Sequence, residues 1–209
     1  MKISNIETIE RTKYLNFYSV TYKDDFGNDK SPYMFVSRFD KDNLNCCKQE
    51  TNSPISPNAI EAFTYLEEDE QYYIVMIKEF RAPLNSYVYS FPAGLIEENE
   101  SAKDALVREV EEEIGGRVRE FKFLQNYPLA MCAGLCDESN MLALVELYRL
   151  EEQHLDEGEQ IEVVKFTPLE LADKIRNNEL KLTASGLLGA TILLNKLGIN
   201  LAYVFNCDF

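Results

Sequence analysis

The chain lacks net positive charge: 21 Lys and Arg stand against 36 Asp and Glu, a formal charge of −15. Phosphate backbones demand a basic footprint, so general nucleic-acid binding is excluded, and so is attraction to anionic membranes. A long hydrophobic run is missing too. The most apolar stretch, Gly186 to Leu194, is too short to span a bilayer and runs into Asn195 and Lys196. The N-terminal MKISNIETIERTKY has none of the apolar core of a secretory signal. Cysteine pairing is absent: Cys46, Cys47, Cys132, Cys136 and Cys207 are odd in number and show no C-x-x-C. Adjacent Cys46 and Cys47 suit neither a usual bridge nor a zinc knuckle, so free thiols in a reducing, cytoplasmic setting are expected. Tryptophan is absent, and the single histidine, His154, reads as an exposed bystander. No repeat, low-complexity tract or helix-turn-helix extension is visible.

What is present suits a soluble domain with a proper core: 209 residues, 45% apolar and 27% charged. The first forty residues predict a β-hairpin, Leu15 to Tyr22 and Pro32 to Arg38, joined by the turn-rich DDFGNDK. A polar connector from about Asp40 to Pro57 follows. Strands are then predicted over Ala59 to Leu66, Tyr72 to Phe80, Tyr87 to Phe91, Val118 to Asn126, Met141 to Leu150 and Glu159 to Phe166. Helices are predicted over Ala102 to Ile114, Pro168 to Asn177 and Ala184 to Lys196. Ser101 with Asp104 resembles a capping box, and Gly115-Gly116 stops the first helix. The fold class is α+β, with helices packed on both sides of a mixed sheet. Residues 1–57 would form an N-terminal β subdomain and connector, and residues 58–209 the main domain.

The first helix carries the chemistry. Ala102, Leu106, Val110 and Ile114 recur every four positions as a buried stripe. Beside them Glu109, Glu112 and Glu113 stand at i, i+3 and i+4, so their carboxylates share a face. Alone, such a trio reads as a solvated acidic surface. Three like charges on adjacent turns repel, however, and a hard divalent cation with oxygen ligands resolves the repulsion. Arg108 can pair with a neighbouring carboxylate and hold the array.

The residues ahead of the helix decide between these readings. From Gly94 to Gly116 the chain resembles the signature of the Nudix hydrolases, G-x5-E-x7-R-E-U-x-E-E-x-G-U, where U is bulky and aliphatic. Gly94, Glu100, Arg108, Glu109, Val110, Glu112, Glu113 and Gly115 fall in register, and only Gly116 departs. The resemblance implies a Nudix-type α/β/α sandwich with a mixed β-sheet, carrying the N-terminal β-hairpin. It implies magnesium, with manganese as a substitute, held by Glu109, Glu112, Glu113 and the Ala93 carbonyl. Glu100 and Arg108 would form the ion pair that orients the loop onto the helix.

The stretch EFRAPLNSYVYSFPAGLIEENE is similar to the ADP-sugar pyrophosphatases of that family. By that resemblance Arg81, after Phe80, would hold a phosphate; Tyr14 and Tyr33 would stack on the base; and Arg38 would follow at a matching offset. Relatives are expected to carry tryptophan at the two tyrosine positions. Ala133 to Glu138 resembles a family turn in which alanine replaces proline, which makes Gly134 and Glu138 substrate contacts. The usual glutamate ahead of F-P-A-G is replaced by Ser90. LDEGEQIEVVKF resembles the loop that closes over the metals, with Glu159 the first choice as base and Glu157 the second. The implied reaction is hydrolysis of a nucleoside diphosphate sugar, foremost ADP-ribose to AMP and ribose 5-phosphate, by a homodimer joined through the hairpin. Other nucleoside diphosphate derivatives, oxidised nucleotides or NADH are rival substrates. A non-catalytic ADP-ribose sensor is the rival from another class, though such proteins commonly lack box glutamates, and none is missing here.

Overall fold

Three antiparallel strands open the chain. The computed structural model describes residues 2–47 and 55–205, so Cys207 and residues 48–54 of the polar connector lie outside the described residues. The chain divides into two compact units, Met1–Ala59 with Gln125–Met141, and Ile60–Leu124 with Leu142–Phe209.

In the first unit β1 (Lys2–Arg11), β2 (Asn16–Lys23) and β3 (Tyr33–Ser37) form an antiparallel sheet in that order. The predicted hairpin is β2 and β3; β1 is an additional strand. Its isoleucines, Ile3, Ile6 and Ile9, recur every three residues, so no period-2 pattern marks a strand. Register shifts between Ile3 and Asn5 and between Thr8 and Glu10 reset the side-chain alternation, as bulges do. The turn after β2 is held by Asp24, whose Oδ1 accepts from the N–H groups of Phe26 and Asn28, with Gly27 at φ 85°. Ile6, Tyr18, Val20, Phe35 and Leu44 make the core, against which Phe39 and Cys46 pack. Buried Tyr18 satisfies its hydroxyl by donating to Phe39 O at 2.9 Å.

The second unit is built on β4 (Ala59–Glu68), β5 (Gln71–Arg81), β6 (Ser86–Ser90), β7 (Ala93–Leu95), β8 (Gly116–Phe123), β10 (Ser139–Leu150) and β11 (Ile161–Phe166). Its strands run in the order β11-β5-β4-β10-β8, with β6 beside β5 and β7 beside β4. β9 (Leu129–Ala130) pairs with Ser139 and Asn140, the first residues of β10, which belong with it to the first unit. The helices are α1 (Ala102–Ile114), α2 (Pro168–Arg176), α3 (Ala184–Lys196) and a short α4 (Leu201–Phe205). The eight residues Ala59–Leu66 of β4 are all buried, as befits a central strand. Their one charge is Glu61, which hydrogen-bonds the Ser185 side chain on α3. Gly189 lets α3 close on the sheet, since a Cβ there would fall 2.5 Å from the Phe63 ring and 2.6 Å from Phe91. No helix among the described residues is long and apolar enough to cross a membrane.

α1 has the predicted bounds for local reasons. Ser101 Oγ accepts from the Asp104 N–H at its start, and Gly115 ends it in the left-handed region at φ 63°. Leu106, Val110 and Ile114 are fully buried, together worth roughly 5–9 kcal/mol of apolar burial. The departure at Gly116 has a packing reason: a Cβ there would meet Val110 Cγ1 at 2.7 Å. A bulky side chain at that position would push β8 off the helix.

Candidate active site

Arg108 is the hub of the acidic helix. Its Nε and Nη2 donate to the two Glu100 carboxylate oxygens at 2.9 and 3.0 Å, and Nη2 also reaches Leu95 O at 3.0 Å. Nη1 donates to Glu109 Oε1 at 2.7 Å and to Glu112 Oε2 at 3.0 Å. The loop over residues 95–100 is thus clamped to α1 by one planar guanidinium, a geometry that lysine cannot copy. Arg108 holds the Glu100 carboxyl below its ordinary range.

The other glutamates face inward. Glu113 is 6% exposed, and its Oε2 accepts from the Ala93 N–H at 2.9 Å. Burial pushes its carboxyl up to about 8, against that hydrogen bond and with help from the charges of Glu109, Glu159 and Glu79. Glu109 is raised as well, mainly by burial, although Arg108 pulls it down. Its carboxylate fills the space beside Gly94: a Cβ there would sit 1.8 Å from Glu109 Oε1. A side chain at this position of the box would therefore displace the Glu109 carboxylate from where it lies.

The loop between β10 and β11 carries Glu157 and Glu159, both exposed. It starts pinned to the end of α1, where the His154 N–H donates to Glu112 O at 2.9 Å and Gln153 Nε2 donates to Glu113 O. The His154 side chain is exposed, as expected of a bystander. Glu159 bears on Glu109, Glu113 and Glu79 electrostatically. Glu79 is the residue that sequence reasoning missed. It stands two residues before Arg81 on β5, and Arg81 Nη2 reaches Glu79 Oε2 at 2.8 Å. Strand alternation puts the pair on one face, which was the available signal.

In the first unit the structure draws together four of the five candidate nucleotide contacts. Tyr33 donates its hydroxyl to Gly134 O at 2.8 Å, and Arg38 Nε meets Glu138 Oε2 at 3.2 Å. Tyr33 and Tyr14 are exposed rather than core, and Lys13 Nζ lies 4.8 Å from the centroid of the Tyr14 ring. Ser90 is buried, and its Oγ has no hydrogen-bond partner among the described residues.

As the side chains stand, no three His, Cys, Asp or Glu among the described residues converge on one point that could hold a metal ion. Glu112 is turned to Arg108, and Ala93 engages Glu113 through its N–H. The donor set nevertheless suits a hard divalent cation. It is all oxygen, and the buried Glu113 meets a single N–H donor, so the charge it would take on losing its proton is one that a cation would compensate.

The family model described as the NUDIX domain matches residues 55–185. Among curated proteins the chain is 31% identical over 114 residues to the "ADP-sugar pyrophosphatase" of Mus musculus, covering 54% of this chain and 47% of that one. It is 33% identical over 113 residues to the "ADP-ribose pyrophosphatase" of Bacillus subtilis, covering 53% and 58%. The chain thus spans about half the length of these relatives. A solved structure titled "Crystal structure of ADP compounds hydrolase" superimposes with a TM-score of 0.63 over 95% of this chain and 97% of that one, at 21% identity, and shows the fold. With the domain match covering more than half of its residues and the box glutamates clamped around Arg108, the chain belongs to the NUDIX family.

Proposed function

We propose that the protein hydrolyses the pyrophosphate bond of a nucleoside diphosphate sugar in a magnesium-dependent reaction, with ADP-ribose giving AMP and ribose 5-phosphate. The observation that carries this reading is the buried Glu113, held only by the Ala93 N–H, on the same helix as Glu109, whose carboxylate lies against Gly94. The names of the mouse and Bacillus relatives support the substrate class.

Glu109, Glu112, Glu113 and the Ala93 carbonyl would hold magnesium, or manganese in its place. When bound, such an ion neutralises phosphate charge and acidifies water. Glu159 takes the proton of the water that attacks phosphorus, with Glu157 as the alternate carboxylate. Arg108 keeps Glu109 and Glu112 in place and is not itself in contact with the reacting atoms. Arg81 leaves Glu79 to grip a phosphate bidentately. Tyr14 and Tyr33 sandwich the base, and Arg38, Gly134 and Glu138 border it, in a dimer that shares the N-terminal strands. Tyrosine suits stacking, since its ring is flat and costs little conformational entropy to order.

The test is chromatographic: ADP-ribose with magnesium should yield AMP and ribose 5-phosphate in equal amounts, and EDTA should stop the reaction. A protein with no turnover of any nucleoside diphosphate sugar in either metal would refute the reading. Sedimentation as a monomer would remove the shared-base arrangement and leave the hydrolytic chemistry standing.

A further inference from the structure

Arg108 and Arg81 are held in different ways. Arg108 engages Glu100, Glu109, Glu112 and the Leu95 carbonyl. Arg81 meets one carboxylate among the described residues, Glu79, with Nη2 and Oε2 2.8 Å apart. The Arg108 side chain is 26% exposed and that of Arg81 51%. An ion pair with so open a partner is screened by water and weak, so an incoming anion can exchange it. The Arg108 clamp cannot be displaced without freeing three carboxylates at once.

The sheet fixes the carboxylate end of the Arg81 pair. Glu79 lies opposite Ile161 of β11 and opposite Val88 of β6. Its side chain is 23% exposed, less than half the figure for its partner. Glu159, two residues ahead of Ile161, acts on Glu79 electrostatically, and Glu79 in turn acts on Glu113. Burial raises the Glu79 carboxyl, and Arg81 is the cation that opposes this. Of the two side chains, arginine has the longer stem and the greater exposure, so Arg81 is the one that moves when the pair opens. Once it turns to a phosphate, Glu79 stays half-buried near two other carboxylates without its cation. That separation subtracts from the affinity of the site for phosphate.

We propose that Glu79 is a specificity-determining residue, an anionic competitor built into β5 that holds Arg81 until a phosphate displaces it and recaptures Arg81 as product leaves. A phosphate presents more acceptor oxygens to the guanidinium fork than the carboxylate it replaces. A ligand carboxylate would exchange like for like and gain little from Arg81. The inference rests on the hydrolytic reading, which assigns Arg81 to a phosphate of the substrate.

Glu79→Gln keeps the length of the side chain and removes its charge. With ADP-ribose and magnesium it should lower KM about fivefold without raising kcat, the factor expected for one solvent-screened ion pair. Calorimetry with AMP, which needs no turnover, should show the same gain in affinity of about fivefold. In an Arg81→Ala background the gain should fall below about twofold, because the cation competed for is gone. Urea unfolding checks that every variant folds. A KM or an AMP affinity that is unchanged or weakened in Glu79→Gln would overturn the proposal. So would a gain that persists in full without Arg81, since Glu79 would then act on the ligand by its charge alone. The AMP gain, seen in a protein that hydrolyses no nucleoside diphosphate sugar, would refute the hydrolytic reading and leave the competition standing.

Discussion

Replacing Glu113 by Gln should stabilise the metal-free protein and flatten its pH dependence. Burial places the Glu113 carboxyl at about 8, against 4.5 for an exposed glutamate. Between those values the folded state keeps a proton that the unfolded state has lost. Stability of the metal-free protein therefore falls as pH rises from about 4.5 to about 8, and is lowest above 8. At about 1.4 kcal/mol per tenfold, the full displacement corresponds to roughly 5 kcal/mol, and structural relaxation would leave on the order of 2–4 kcal/mol. Glutamine keeps the shape and can still accept from the Ala93 N–H, but it carries no charge to bury. Urea unfolding in EDTA should give equal stabilities for wild type and Glu113→Gln near pH 4.5, and an advantage of about 2–4 kcal/mol for the variant at pH 9. A difference that stays constant across this range would refute the claim that Glu113 is held in a desolvated, under-compensated site.

Three further outcomes follow from the same geometry. Gly94→Ala places a methyl on the Glu109 carboxylate and should cut turnover by about 100-fold while the protein still unfolds cooperatively, measured by steady-state rates beside a urea titration. Arg108→Ala leaves Glu100, Glu109 and Glu112 without their shared partner and should cost about 2–3 kcal/mol by urea midpoint, with Arg108→Lys rescuing less than half. Glu61→Gln tests the linkage argument away from the metal-binding glutamates: its carboxyl is pushed up to about 7 by burial, so the variant should gain stability above pH 7 and show little change near pH 4.5.

The parts of this protein written in local chemistry were legible in the sequence. α1 and α3 have the predicted bounds because Ser101 and Thr183 cap them, and Gly115 ends the first. The resemblance to the box implied the ion pair of Glu100 with Arg108, and the two side chains meet at 2.9 Å. β1 escaped because its bulges break the alternation on which strand recognition depends. β7 escaped because three residues carry no periodicity. Within the site, spacing put three glutamates on one helix face but could not separate them. Packing divides them, since Glu113 is buried and accepts from Ala93 at the start of β7 whereas Glu112 reaches out to Arg108. Alternation along β5 puts Glu79 on the face of Arg81, but only the fold brings it into the electrostatic field of Glu159.

The proposed chemistry requires Glu109 and Glu113 to hold a divalent cation. Crystals grown with manganese and a non-hydrolysable ADP-ribose analogue, with data collected at the manganese edge, test it most directly. An anomalous peak is expected within coordination distance of both carboxylates, and its loss in Glu113→Gln. Nucleotide density with no anomalous peak beside those two side chains would contradict it.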